Sequence, residues 1–191
     1  MALFSGSADD AVKAGIDMLC QLKKYNEHRE IVGYVPVQIG IGINTGLLML
    51  GTVGGQKRMD STVISDAVNL ASRMEGLTKN YGIPLLISHQ TYLGLLNPTA
   101  YAIRRIDQVQ VKGKSELVTV YEVFEADDPD CKAAKLATLK PFIQALSLYE
   151  NKDFLQAAQL FEACLQQNPA DTVAQIYLER CRLNQDWKPS I

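Results

Sequence analysis

Lys57-Arg58-Met59-Asp60-Ser61-Thr62-Val63-Ile64-Ser65-Asp66-Ala67-Val68-Asn69-Leu70-Ala71-Ser72-Arg73-Met74-Glu75 decides how this chain is read. Its first half is β-prone, with Thr62, Val63 and Ile64 in succession. From Ser65 the pattern changes: Val68, Leu70, Ala71, Met74 and Leu77 form the packing stripe of an amphipathic helix predicted to run to about Lys79. Ser65 and Asp66 are natural helix-start residues. Asn69 and Arg73 stand four residues apart, so an amide and a guanidinium project from one helical face. A helix that spends both groups on one face is suited to hold an anion.

Upstream, Ala11, Val12, Ile16, Leu19 and Leu22 recur at helical spacing, which predicts a long helix from Asp9 to about Glu30 with Asp9 and Asp10 capping its start. Val37, Ile39, Ile41 and Ile43 then alternate with small or polar residues. Asn44-Thr45-Gly46 breaks the run and Leu47 to Val53 resumes it, the pattern of a hairpin. Gly40 and Gly42 leave one strand face bare, either for a ligand or for tight packing of another backbone. Gly51, Gly54 and Gly55 form a turn before Lys57 and do not match the phosphate-cradling GxxxxGK[ST] loop.

Downstream, Gly82-Ile83-Pro84 ends the helix and starts a strand from Leu85 to Ser88. A short helix around Gln90 to Leu95 stops at Asn97-Pro98, and two β runs, Tyr101 to Val111 and Leu117 to Phe124, flank Lys112-Gly113-Lys114. This order predicts an α+β fold, a mostly antiparallel sheet covered by helices. Asp127-Asp128-Pro129-Asp130 marks a change to unbroken helical periodicity. The expected organisation is therefore a body over residues 1–126, a linker over 127–135, a helical segment over 136–184 and a short tail over 185–191. Ala145, Leu148, Phe154, Ala157, Phe161, Cys164 and Pro169 follow the spacing of a 34-residue tetratricopeptide repeat, without its leading tryptophan. One such repeat cannot bury its own faces, so the segment is expected to pack on the body or on a protein partner.

Composition narrows the possibilities. With 191 residues, 47% hydrophobic, the chain can bury a sizeable core. Nineteen basic against twenty-one acidic side chains give a formal charge of −2, so no global field attracts nucleic acid or an anionic membrane. Cys20, Cys131, Cys164 and Cys181 lack zinc-site spacing and read as reduced thiols of a cytoplasmic protein. His28 and His89 sit in no ligand or triad pattern. The apolar window Val37 to Val53 is interrupted and too short for a spanning helix, so no membrane segment is expected.

The quoted stretch, with the Val-Asn-Leu-Ala-Ser-Arg-Met-Glu core of its helix, resembles the substrate-binding segment of class III nucleotidyl cyclases, the adenylate and guanylate cyclase family. The resemblance covers about Met1 to Ala126. It implies conversion of ATP to cyclic AMP and pyrophosphate at a composite dimer site, in a homodimer or with another cyclase domain. Asn69 then corresponds to the asparagine that orients the ribose and Arg73 to the arginine that stabilises the transition state. Thr62 falls where the family reads the base, with threonine there associated with adenine. Lys112 corresponds to the lysine that meets the terminal phosphates, and Lys114 is a second candidate. Mg²⁺ or Mn²⁺ is the implied cofactor.

Two metal-binding aspartates are also implied, one in a first strand and one in a Gly-Asp hairpin that would run directly into Met1-Ala2-Leu3-Phe4. Both would precede this chain, and Asp9, Asp10 and Asp17 are poor substitutes because they belong to the following helix. The chain by itself is therefore expected to be inactive and to leave a sheet edge open. Two other functions fit the same residues: a non-catalytic dimerisation and interaction module whose helical tail recruits a partner, and a guanylate cyclase. Singly, each residue also admits a plain role, Thr62 in a strand, Asn69 bonded to backbone, Arg73 on the surface and Lys112 in a turn.

Overall fold

The computed structural model describes residues 1–55, 58–110 and 117–183. In chain order it contains α1 (Ala8–Ile31), β1 (Ile41–Ile43), β2 (Met49–Gly55), β3 (Arg58–Ile64), α2 (Asp66–Tyr81), β4 (Leu85–Ser88), α3 (His89–Leu93), β5 (Ile103–Gln110), β6 (Leu117–Val123), α4 (Pro129–Glu150), α5 (Phe154–Gln167) and α6 (Thr172–Leu183). A 3₁₀ turn spans Pro98–Ala100. The α+β class and the order of elements over residues 1–124 follow the expectation.

The strands form a four-stranded sheet in the order β1-β4-β6-β5 and a separate β2-β3 pair. β1 runs parallel to β4, with Ile41 opposite Leu85 and Ile43 opposite Ile87. β4-β6 and β6-β5 are antiparallel. The expected hairpin between Val37–Ile43 and Leu47–Val53 does not form. Leu47 to Val53 instead feeds β2, which pairs with β3 from Met49 opposite Ile64 to Gly55 opposite Arg58. The intervening Asn44-Thr45-Gly46 is occupied elsewhere: Asn44 Nδ2 donates to the Ala67 carbonyl at 3.0 Å and Thr45 Oγ1 lies 3.1 Å from Thr91 Oγ1. Those bonds carry the chain out of the sheet, so it does not fold back on itself.

Alternation along the strands divides the core between two faces. Leu85, Ile87 and Val123 face α1 and α3, where Val12 and Leu95 complete a small cluster. Leu86, Val120, Ile106 and Val109 face the larger core, shared with Met74, Leu77 and Tyr81 of α2 and with Phe142, Phe161 and Tyr177 of the C-terminal helices. Ser7, two residues before the expected Asp9, caps α1: it accepts from Asp10 N while the Asp10 carboxylate accepts from Ser7 N. Asp9 turns inward and accepts from Leu96 N at 2.9 Å and from the Tyr101 hydroxyl at 2.8 Å.

The C-terminal helices are continuous with the body. Residues 129–135, expected as linker, are the first turns of α4, because Pro129 occupies the helix-starting position and Asp130 the first turn. Ala145, Ala157, Phe161 and Cys164 are all buried. Phe161 stacks on Tyr177 at 5.4 Å and meets Phe142 edge-on at 5.8 Å. No described helix is long and apolar enough to cross a membrane.

A buried charge cluster joins these helices to the sheet. Arg104 of β5, with no exposed side-chain surface, donates to Glu122 of β6 at 2.6 Å and through both terminal nitrogens to Asp171, at 2.6 and 2.8 Å. Lys135 of α4 bridges Glu122 and Asp127, each at 2.6 Å. The Arg104 guanidinium also lies 4.4 Å from the centre of the Phe142 ring. Burial alone would lower the Arg104 pKa, and the Glu122 and Asp171 carboxylates overcome it and raise it. For Asp171, burial pushes upward, and the Arg104 guanidinium outweighs it and holds the carboxyl below 3.8.

Two tests follow from this packing. A Cβ on Gly42 would come within 2.9 Å of the Met74 carbonyl carbon and closer still to Ala71 O, whereas one on Gly76, in α2, would meet nothing within 4 Å. Gly42→Ala is expected to cost about 1–3 kcal/mol and Gly76→Ala to stabilise by about 0.5–1 kcal/mol in urea denaturation. Asp171→Asn is expected to cost about 3 kcal/mol at neutral pH. Because the folded carboxyl titrates below 3.8, that contribution is present above this value and is lost as pH falls through the lower folded pKa. The stability gap between native and Asp171→Asn protein should therefore narrow below pH 3.8, as read by denaturation at stepped pH.

Candidate functional site

The candidate site is organised by α2 and the loop and hairpin that deliver the chain to it. β3 ends at Ile64, and Ser65 turns the extended backbone directly into the helix. Ser65 works in two directions: its hydroxyl oxygen accepts from Ala67 N at 3.0 Å, capping α2, while the hydroxyl donates to the Leu47 carbonyl at 2.6 Å. With Asn44 bonded to the Ala67 carbonyl at 3.0 Å, the first turn of α2 is fastened to the segment between β1 and β2. A Cβ on Gly46 would stand 2.8 Å from Ala67 Cβ, so this approach needs glycine.

Along α2, Met74, Leu77, Thr78 and Tyr81 are buried, whereas Asn69 is exposed and Arg73 half-buried. At about 100° per residue, Asn69 and Arg73 lie one turn apart on the flank of the helix, rotated away from its buried face. The Asn69 backbone N–H returns to the Ser65 carbonyl at 3.3 Å, inside the first turns of the helix. Thr62 is on β3, with Gly51 of β2 as its Cα partner, three residues before the α2 cap. Thr62, Asn69 and Arg73 thus belong to one continuous strand-to-helix unit. Lys112 and Lys114 lie outside the described residues.

Gly40 and Gly42 serve packing. A Cβ on either would strike the α2 backbone or Thr78, so the bare strand face receives the helix and leaves no space for a ligand. Among the described residues, no group of three or more His, Cys, Asp or Glu side chains could hold a metal ion. Asp9 is committed to Leu96 and Tyr101, Asp10 to the Ser7 cap, and Asp17 is exposed on α1. With those commitments, Asp9 and Asp10 do not fit a divalent-cation site.

The family described as Adenylate and Guanylate cyclase catalytic domain matches residues 4–123. The chain belongs to this family. An adenylate cyclase from Anabaena cylindrica is 46% identical over 129 residues, covering 64% of this chain and 26% of its own length. A terminal-differentiation specific adenylate cyclase from Dictyostelium discoideum is 37% identical over 192 residues, covering 96% of this chain and 9% of its own length, so that match extends through the C-terminal helices. The crystal structure of the adenylyl cyclase CyaB from P. aeruginosa aligns with a TM-score of 0.52 at 35% identity, over 62% of this chain and 61% of that one. The chain therefore spans about a quarter or less of the two curated relatives.

Sequence reading found the α2 cap but missed Asn44 and Leu47 as its anchors. The available signal was the Asn-Thr-Gly break, whose amide-bearing residue serves no hairpin turn because β1 pairs with β4 and β2 with β3. Ser65→Ala should lose about 1 kcal/mol and speed hydrogen exchange at the first α2 amides. Ser65→Asp keeps the cap acceptor and removes the hydroxyl donor, so exchange there should be intermediate if the Leu47 bond contributes.

Proposed function

We propose that this chain supplies the nucleotide-orienting half of a composite adenylate cyclase site, which converts ATP to cyclic AMP and pyrophosphate. The observation that carries the reading is the placement of Asn69 and Arg73 one turn apart on the α2 flank, outside the buried face of the helix. In the reaction the ribose 3′-oxygen attacks the α-phosphorus, pyrophosphate leaves, and negative charge grows on the phosphate oxygens. Arg73 would meet that charge with a planar, permanently protonated fork, the geometry suited to phosphate oxygens. Asn69, one turn earlier, would hold the ribose so that the attacking oxygen stays in line.

Thr62 is assigned to base reading and Lys112 to the terminal phosphates by resemblance. Adenine is favoured over guanine because threonine at this position is associated with adenine, and because the relatives named above are adenylate cyclases. Mg²⁺ or Mn²⁺ would be held by aspartates contributed by the other cyclase domain of the composite site.

The test mixes the folded chain with a class III cyclase subunit that keeps its metal aspartates and lacks its arginine. Cyclic AMP should appear in the mixture and in neither component alone. Arg73→Ala should lower the rate by about 10²- to 10³-fold, and Arg73→Lys should restore little of it. Absence of product from a folded, associated mixture would sink the half-site reading. Faster turnover of GTP than ATP would replace it with guanylate cyclase.

A further inference from the structure

We infer that Thr172 and Tyr81 are positioning residues, through which the C-terminal helices set the seat and rotation of α2 and hence the location of Asn69 and Arg73. The inference rests on the proposed role of those two side chains.

The far end of α2 closes with Gly82 in the left-handed region at φ 66°, and the Gly82 and Ile83 amides return to the Lys79 and Thr78 carbonyls. The Tyr81 carbonyl is met from elsewhere: the Thr172 hydroxyl, at the first residue of α6, donates to it at 2.5 Å across 91 positions of sequence. The two residues are also closely packed, since a Cβ on Gly82 would stand 3.2 Å from both Thr172 Oγ1 and Cγ2.

Tyr81 is held at its other end as well. Its hydroxyl donates to Asp107 Oδ2 at 2.5 Å, and the same oxygen accepts from Arg180 of α6 at 3.0 Å. The Tyr81 phenol stays protonated far above its ordinary pKa, because burial and the neighbouring Asp107 carboxylate both oppose ionisation. One residue of α2 is therefore gripped twice by α6, at its backbone directly and at its phenol through Asp107. The grip is itself anchored, because Asp171, immediately before Thr172, takes both terminal nitrogens of the fully buried Arg104.

The lever arm is short. Tyr81 lies eight residues, or about 12 Å along the axis, beyond Arg73. With side chains reaching about 6 Å from a helix axis, a rotation of ~10° displaces a polar head by about 1 Å, and a misplacement of that size can cost up to about 100-fold in rate. The other end of α2 is pinned by Ser65 and Asn44, so releasing the α6 end frees the helix to twist about its first turn.

The experiment uses the full chain in the mixture with the arginine-deficient, aspartate-bearing subunit. Thr172→Val, which removes the donor at nearly constant volume, should lower kcat about tenfold while KM for ATP stays within about twofold; Thr172→Ser, which keeps the hydroxyl, should retain native kcat. Tyr81→Phe should move kcat in the same direction as Thr172→Val. Hydrogen exchange at amides 73–81 should rise in Thr172→Val relative to β4. Unchanged kcat in folded Thr172→Val and Tyr81→Phe, or equal loss in the Val and Ser variants, overturns the inference. If the unsubstituted chain yields no product, the half-site reading fails by itself; exchange at 73–81 then decides the grip, with unaltered exchange overturning it and raised exchange upholding it.

Discussion

At Gly42 the β1 backbone meets the α2 backbone with no side chain between them, and at Gly40, just before the strand, the chain closes on Thr78 and the Glu75 carbonyl. The remaining geometry follows from that contact. It seats α2 flat on the sheet beside β1, turns Met74, Leu77, Thr78 and Tyr81 inward, and leaves Asn69 and Arg73 on the flank. A methyl group at residue 42 would have to displace the carbonyl and amide groups of a regular helix, which a packed interior resists. The close approach also explains why the chain leaves β1 through Asn44 and Gly46: those residues pass under the first turn of α2 and bind it before β2 begins.

The second constraint is electrostatic. Arg104, Glu122, Asp171, Lys135 and Asp127 form a buried cluster whose members come from two strands, the α4 helix and two loops. Burying such charges is costly, and the cost is offset only where nearly every hydrogen-bonding position is used. Here the bidentate Arg104–Asp171 pair and the bridging Lys135 achieve that, at distances of 2.6 to 2.8 Å. The cluster selects one docking of the C-terminal helices, because any slip of α6 relative to β5 would strand a charge. The aromatic contacts of Phe142, Phe161 and Tyr177 supply apolar burial around it but tolerate more than one arrangement.

Local patterns were legible where local physics governs. The α2 cap at Ser65, the end of α2 at Gly82 and the strand Leu85–Ser88 each depend on residues within a few positions of one another. The hairpin expected from Val37 to Val53 failed because alternation identifies strands without naming their partners: β1 pairs with β4, more than forty residues away, and β2 with β3. Arg104 gave little warning, since an arginine in a strand most often faces water. The Thr172 contact with Tyr81 left no local trace, because its two ends are 91 residues apart.

By itself the sequence determined the class of the fold, the order of its elements over residues 1–124 and the pairing of an amide with a guanidinium on one helix, since each follows from short-range periodicity and motif spacing. Only the tertiary structure decided that the bare glycine face accepts a backbone and that the C-terminal helices form one core with the sheet. Those outcomes depend on long-range complementarity of volume and charge. The decisive partners, Gly42 with Met74 and Arg104 with Asp171, meet only after the chain has folded.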